Sequence, residues 1–261
     1  MAGSTKPPSI GELDALLFKF RSLELDSDAD LQAVMSLVKV KETVRQGKNI
    51  IDMHCSPGQL TVMLAGIACL NKRLADGSRQ IYTFQYPGDF CDLHRYVLPE
   101  ADRTVTVTAL TNCSIGIIRH EDMDQMLSKH PKLGLAFWRA SMLEASIFRE
   151  RLLNISRRAA LPRIASIICE QLARLEAINI RSAVIPITQI DLADAGGLSV
   201  VHVNRIVREL RDIGALSNKR RILEVANRER LAQVAGFDTR YLNMPGLLSG
   251  WKISLDDLTA S

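Results

Sequence analysis

The stretch from Thr188 to Leu210, TQIDLADAGGLSVVHVNRIVREL, decides the fold of the C-terminal part of this 261-residue chain. It predicts two short helices joined at Gly196-Gly197, because glycine adopts positive φ at little cost and permits a tight turn. Thr188 is a good helix N-cap, and Asp191 three residues later resembles a capping box with Asp in place of Glu. The pattern is typical of a helix-turn-helix.

The second predicted helix has two faces of opposite character. Apolar residues at i, i+3, i+4 and i+7 predict a buried stripe, formed by Val203, Ile206, Val207 and Leu210. The opposite face suits the major groove of DNA, because arginine can bond guanine, asparagine can pair with adenine, and valine can contact a thymine methyl. Some of these residues suit phosphate equally well. The candidate DNA-binding residues are Ser199, Val201, His202, Asn204, Arg205 and Arg208.

Basic residues are concentrated around this helix. The segment from Ser199 to Arg221 holds six basic and two acidic residues, a net +4 that equals the charge of the whole chain. A local basic surface attracts phosphates even on a nearly neutral molecule. Leu216 to Val225 then predicts a hairpin with a basic turn, typical of the wing of a winged helix. We expect Lys219 and Arg220 of that turn to contact the DNA backbone.

The preceding part of the chain predicts a sheet domain followed by a long helix. The segment up to about Val38 has a helical pattern, and short apolar runs separated by turns predict an antiparallel sandwich or barrel between Val40 and Arg119. These runs are Thr61 to Leu70, Gln80 to Tyr86, Thr104 to Leu110 and Ser114 to Ile118, with a hairpin turn at Asp76-Gly77. A further short strand is predicted from Ile180 to Ile187.

A long helix is predicted from Pro131, with a seam at near-heptad spacing. Such a seam can pack against the sheet domain of the same chain or against its copy in a second subunit. We favour the second, a dimer helix. The predicted dimer residues are Leu133, Phe137, Ala140 and Ile147.

Three motifs in order give the chain a family resemblance: YPGDF (Tyr86 to Phe90), DRTVTVTAL (Asp102 to Leu110) and VHVNRIVRELRDIGAL (Val201 to Leu216). From about Val40 to Asp238 the chain resembles the catabolite-activator/Fnr-type (Crp/Fnr) family of bacterial transcription regulators. The resemblance implies an α+β fold with an N-terminal β-roll, a jelly roll like the cyclic-nucleotide-binding domain. A long dimerisation helix and a C-terminal winged helix-turn-helix follow.

The implied domains are residues 1–130 for the N-terminal helices and β-roll, 131–156 for the dimerisation helix and 157–240 for the DNA-binding domain. Residues 241–261 form a tail without an assigned role. The resemblance also implies a homodimer on double-stranded DNA with a two-fold operator, and RNA polymerase as a further partner. Arg205 stands where the family has its base-contacting arginine. Val200 and Val201 replace the Arg-Glu pair of the activator branch, so we expect a different operator, with His202 and Asn204 helping to set the preference.

The effector pocket of the β-roll departs from the family pattern. Cyclic-nucleotide-binding members have Gly-Glu after the PGDF turn and then Arg-Ser or Arg-Thr. This chain keeps the second pair but has Asp92-Leu93 for the first, and leucine accepts no hydrogen bond while aspartate repels a phosphate. We expect a sensory domain of unknown or lost ligand; the alternative is a regulator responsive to cyclic AMP or cyclic GMP. The candidate pocket residues are Gly88, Asp89, Asp92, Leu93, Arg103 and Thr104.

Other function classes lack their motifs. No cysteine precedes Cys55, so we expect no iron–sulfur cluster of the oxygen-sensing kind, and no metal site or other cofactor. The sequence has no nucleophile elbow, phosphate loop or H-E-x-x-H motif, so we expect no enzyme. It has no long apolar run and no signal peptide, which predicts a cytoplasmic protein without membrane contact. The effector, the operator and the choice between activation and repression stay open.

Overall fold

The structure is a computed structural model that describes residues 10–55, 58–98, 105–180, 182–219 and 222–243. The helices are α1 (Asp14–Ser22), α2 (Asp28–Leu37), α3 (Leu93–Val97), α4 (His120–Lys129), α5 (Pro131–Arg157), α6 (Ala160–Ala177), α7 (Gln189–Gly196), α8 (Val200–Asp212) and α9 (Arg228–Ala235). The strands are β1 (Val40–Val44), β2 (Asn49–Ile51), β3 (Gln59–Ala65), β4 (Ala68–Arg73), β5 (Arg79–Gln85), β6 (Thr106–Ala109), β7 (Cys113–Arg119), β8 (Val184–Ile185) and β9 (Leu223–Glu224).

The strands β1 to β7 form two sheets, in the orders β1-β7-β3 and β2-β6-β4-β5. The predicted single run from Thr61 to Leu70 is wrong, because Gly66 divides it into β3 and β4. Gly66 has φ +85°, and a Cβ built there would lie 2.5 Å from the carbonyl oxygen of Asn112. Residues with a side chain rarely adopt this conformation and would not fit the space, so the chain turns at this glycine.

The chain divides into two compact units, and the first contains Met1–Lys72 and Tyr82–Ala145. Its hydrophobic core joins α1 and α2 to the sheet that contains β3 and β7, and to the first half of α5. The rings of Phe20, Phe90 and Phe137 meet edge-to-face, with centroids 5.1–6.1 Å apart. Such aromatic pairs add to the stability gained from burial alone.

The second unit contains Arg73–Ile81 and Ser146–Ser261. Within it, α6 packs against α7, α8 and α9. Along α6, every residue from Ile164 to Leu175 is buried, so this helix is covered on all sides and forms the centre of the unit. The strand predicted from Ile180 to Ile187 is shorter than expected, since β8 covers Val184–Ile185 and pairs antiparallel with β9.

In the part of the chain that the structure describes, no helix is both long and apolar enough to span a bilayer.

Candidate nucleic-acid interface

The first helix of the predicted helix-turn-helix begins at a complete capping box. The hydroxyl of Thr188 accepts a hydrogen bond from the Asp191 amide at 3.2 Å, and the Thr188 amide donates to the Asp191 carboxylate at 2.9 Å. These bonds satisfy two donors that a helix N-terminus otherwise leaves free. At the other end, Gly197 has φ +62° and starts the turn toward α8. The turn therefore forms at the second of the two predicted glycines.

The second helix, α8, is fixed by its cap and by its apolar back. Ser199 accepts a hydrogen bond from the amide of His202 at 3.2 Å, and the helix begins at the next residue, Val200. All four residues of the predicted apolar stripe are buried: Val203, Ile206, Val207 and Leu210. Burying them sets which side of α8 faces the solvent.

The exposed side of α8 presents the residues that the sequence pattern selects. We call Val201, His202, Asn204, Arg205 and Arg208 the α8 front; each of them is exposed. Val201 is 63% exposed, so an apolar side chain stands in solvent beside two arginines. Among the described residues, Arg205 and Arg208 have no hydrogen bond or ion pair. No described residue therefore competes with an external acceptor for the donors of these two guanidinium groups.

Arg211, one of the basic residues counted in the sequence of this region, holds the wing that follows α8. Arg211 donates from Nε to the carbonyl oxygen of Ser217 at 3.1 Å and from Nη2 to that of Lys219 at 3.0 Å. Its guanidinium thus braces the wing backbone. Lys219 forms an exposed ion pair with Glu224 at 2.9 Å, and Arg220 lies outside the described residues. Serine and lysine donors to Glu224 lower the pKa of that carboxyl.

Two further arginines support the helix-turn-helix and were not selected from the sequence. Arg163 donates to the carbonyl oxygen of Gly196 at 3.0 Å, at the end of α7. Arg230 donates to the carbonyl oxygen of Ile213 at 2.6 Å, at the end of α8. Both satisfy carbonyls that a helix C-terminus leaves without an intrahelical partner. Neither has a sequence signal, because the contacts join residues 17 and 33 positions apart.

In the β-roll, the PGDF turn uses its polar residues to hold the turn itself. Gly88 has φ +90°, and a Cβ there would lie 2.7 Å from the carbonyl oxygen of Ala15 on α1. The Asp89 carboxylate accepts from the Tyr86 amide at 2.9 Å and pairs with Lys19 at 2.9 Å. Two candidate pocket residues, Gly88 and Asp89, therefore dock the turn against α1.

The next two candidate pocket residues are also buried. Asp92 accepts from the Thr61 amide at 2.8 Å, and burial raises the pKa of its carboxyl to about 7. Leu93 belongs to the hydrophobic core. Arg103 and Thr104 lie outside the described residues. The Leu93 side chain, at the place where the resemblance puts the family's glutamate, lies in the core and offers no hydrogen-bond acceptor. The described residues contain no cluster of three or more metal-ligating side chains.

The predicted dimer seam on α5 is wrong for its buried members. Leu133 and Phe137 are core residues, Ala140 packs against that core, and Ile147 is 3% exposed. Leu133, Phe137 and Ile147 are covered within the chain, so they are not free for a partner helix. In the first half of α5, the large exposed apolar residues form a different stripe, the outer seam: Leu135, Trp138 and Met142.

Comparisons with known proteins agree with this geometry. The model of the cyclic nucleotide-binding domain matches residues 41–130, and that of the Crp-like helix-turn-helix domain matches residues 162–234. Together they account for more than half of the chain. The chain belongs to the Crp/Fnr family. It is a DNA-binding transcription regulator, and its α+β fold of β-roll and C-terminal helix-turn-helix is confirmed.

Individual relatives belong to the same family. The transcriptional activator protein FnrL of Cereibacter sphaeroides is 27% identical over 220 residues, which cover 81% of this chain and 87% of FnrL. The nitrogen fixation regulation protein FixK of Azorhizobium caulinodans is 26% identical, over 62% of this chain and 66% of FixK. The solved structure of FixK2 from Bradyrhizobium japonicum aligns with a TM-score of 0.64 at 22% identity, over 75% of this chain and 96% of FixK2.

Proposed function

We propose that this Crp/Fnr regulator acts as a homodimer that binds a two-fold DNA site through the α8 front of each subunit. The observation that supports the proposal most directly is the contrast between the two sides of α8. Its back is fully buried, while Arg205 and Arg208 are exposed and have no partner among the described residues. Arginine donates two hydrogen bonds to the O6 and N7 acceptors of guanine, and a helix of this size fits the major groove.

Selection of fragments from the source genome, followed by gel shift, tests DNA recognition. We expect a specific complex whose affinity falls as salt rises, because bound phosphates release counterions. Equal affinity for every fragment at moderate salt would contradict sequence-specific recognition. We expect RNA polymerase to be a further partner. We expect the protein to act in the cytoplasm, and its activity to be binding rather than catalysis.

The outer seam of α5 is the surface we assign to the dimer. Leu135, Trp138 and Met142 follow each other at intervals of three and four residues. Trp138 is 65% exposed, which is costly for so large an apolar ring. A second copy of the same helix covers such a seam with matching residues.

The seam is tested by the double change Trp138→Glu and Met142→Glu, with Lys132→Glu as a control elsewhere on the same helix. We expect the double variant to sediment as a folded monomer and to lose most of its operator affinity, while the control stays dimeric. A double variant that remains dimeric would show that the subunits meet elsewhere.

For the β-roll we propose a signal other than a cyclic nucleotide, supported by the buried Leu93 at the glutamate position and the buried acid Asp92 next to it. The alternative, a response to cyclic AMP or cyclic GMP, depends on Arg103 and Thr104. Calorimetric titration with both nucleotides separates the two. Micromolar binding that disappears in Arg103→Ala would establish the alternative.

A further inference from the structure

The tip of the β4–β5 hairpin belongs to the same compact unit as the helix-turn-helix. Residues Arg73–Ile81 group with the chain from Ser146 onward, although both strands continue into the other unit. The tip is a tight turn, in which Gly77 has φ +85° and the Leu74 amide donates to the carbonyl oxygen of Ser78 at 2.9 Å. The tip therefore carries Arg79 and Gln80 within the unit that contains α7 and α8.

Arg79, at the start of β5, forms two ion pairs with the first helix of the helix-turn-helix. Its Nε donates to the Asp194 carboxylate at 2.5 Å, and its Nη2 donates to the Asp191 carboxylate at 2.7 Å. The Arg79 side chain is 11% exposed, and those of Asp191 and Asp194 are 9% and 22% exposed. Pairs of this geometry, largely shielded from water, are stronger than exposed surface pairs.

Asp191 connects these ion pairs to the start of α7. One of its carboxylate oxygens accepts from Arg79, and the other accepts from the amide and hydroxyl of Thr188 in the capping box. The neighbouring residue Gln80 reaches the turn between the helices, since its Oε1 lies 3.9 Å from a Cβ built on Gly197. The hairpin therefore bonds to the first turn and the middle of α7, Gln80 lies near its end, and α7 packs directly on α8.

We propose that the β4–β5 hairpin is a latch for the helix-turn-helix, with Arg79 as the residue that positions α7 and, through it, α8 for DNA binding. The latch holds the binding-competent arrangement, because the whole α8 front is exposed while both ion pairs are made. Arg79 acts on α7 and does not itself contact DNA. A signal that breaks both ion pairs would release the latch and weaken operator binding. The inference relies on the role proposed above for the α8 front.

Arg79→Met tests the latch, since methionine keeps an apolar stem and removes both ion pairs. We expect operator affinity to fall about 5–30-fold, within the usual range of coupling between sites. The slope of affinity against salt should stay unchanged, because Arg79 holds carboxylates and not phosphates. Arg73→Met is the matched control in the same hairpin: Arg73 bonds to the Gly77 carbonyl within the turn, and we expect parental affinity.

Two further measurements separate positioning from a general loss of structure. The exchanged pair Arg79→Asp with Asp194→Arg should recover part of the affinity that Arg79→Asp alone loses, since one of the two ion pairs is restored while Asp191 stays without its arginine. Without DNA, hydrogen exchange of the α7 amides should accelerate in Arg79→Met and stay parental in Arg73→Met. This second measurement tests the latch even if no specific operator is found, a result that would instead overturn the proposed DNA recognition.

Several outcomes would overturn the latch. Parental operator affinity in Arg79→Met would show that the ion pairs do not position α8. A salt slope reduced by about one unit would show that Arg79 binds a phosphate directly. Unchanged α7 exchange in Arg79→Met would show that Arg79 does not hold α7.

Discussion

Arg205 on α8 and Asp89 in the PGDF turn both stand at positions of family motifs, but their surroundings differ. Arg205 is exposed and has no partner among the described residues, whereas Asp89 is buried and bonded to Lys19 and the Tyr86 amide. A polar group with free donors in solvent is available to a ligand at little cost. A polar group whose bonds are already made must lose them first. In this chain the DNA-binding motif keeps its polar residues for a partner, while the effector motif uses its own to fold.

The largest expected effect comes from removing the exposed arginine. Arg205→Ala should cost about 1–3 kcal/mol for each lost bidentate base contact, and a dimer loses two. Non-specific affinity should change little, so the ratio of specific to non-specific binding, measured by competition gel shift, should fall. Parental specificity in this variant would contradict the role of the α8 front.

Arg211→Ala is the matched control on the same helix. Its guanidinium bonds to wing carbonyls, so its loss should weaken binding to all DNA sequences to a similar extent. A change in sequence preference in Arg211→Ala would show that Arg211 takes part in base recognition as well as bracing the wing.

The next prediction concerns stability and tests Asp92, a buried residue of the effector motif. Burial raises the pKa of Asp92 to about 7 from an ordinary value of 3.8, so the folded state holds the proton more tightly than the unfolded state. The stability contributed by protonated Asp92 is complete below pH 3.8 and is lost as the pH rises through 7, at about 1.4 kcal/mol per pKa unit.

Asp92→Asn keeps an acceptor for the Thr61 amide and removes the titration. We expect the free energy of unfolding of this variant, measured in denaturant titrations, to rise relative to that of the parent as the pH increases from 4 to 8. Asp89→Asn is the contrasting variant, because it leaves Lys19 without its carboxylate and should destabilise the fold. A parental pH dependence in Asp92→Asn would show that Asp92 is not buried as a structural acid.

How far the sequence predicts this structure depends on where a residue's partners lie. The capping box of Thr188 and Asp191 is a contact between near neighbours, so α7 could be predicted from the sequence. The outer seam of α5 could not be separated from the inner one, because both stripes are apolar at helical spacing. In the sequence, Trp138 and Met142 indicate a second apolar stripe. The packing of Leu133 and Phe137 into the core then shows which of the two stripes is covered.

The roles of Asp89 and Arg79 could not be predicted, because their partners Lys19 and Asp194 lie 70 and 115 residues away. No local pattern shows such a contact. A family motif shows which residue types recur at a position, and the three-dimensional structure shows whether their hydrogen-bonding groups are still free.

The smallest expected effect concerns the exposed valine of the α8 front. If Val201 contacts a thymine methyl in the operator, replacing that thymine by deoxyuridine removes one methyl and should weaken binding about fourfold, near 0.8 kcal/mol. The same replacement should weaken binding of Val201→Ala by less, because the shorter side chain makes less contact with the methyl. An equal loss in parent and variant would show that the methyl is sensed by another residue.

The central claim is that two copies of the α8 front bind one two-fold DNA site. A hydroxyl-radical footprint of the parent protein on its selected operator tests it most directly. We expect two protected half-sites with centres about 10 base pairs apart, or a multiple of that distance, because each subunit places its helix in a major groove on the same side of the duplex. A single protected half-site, or uniform protection of any DNA, would contradict the claim.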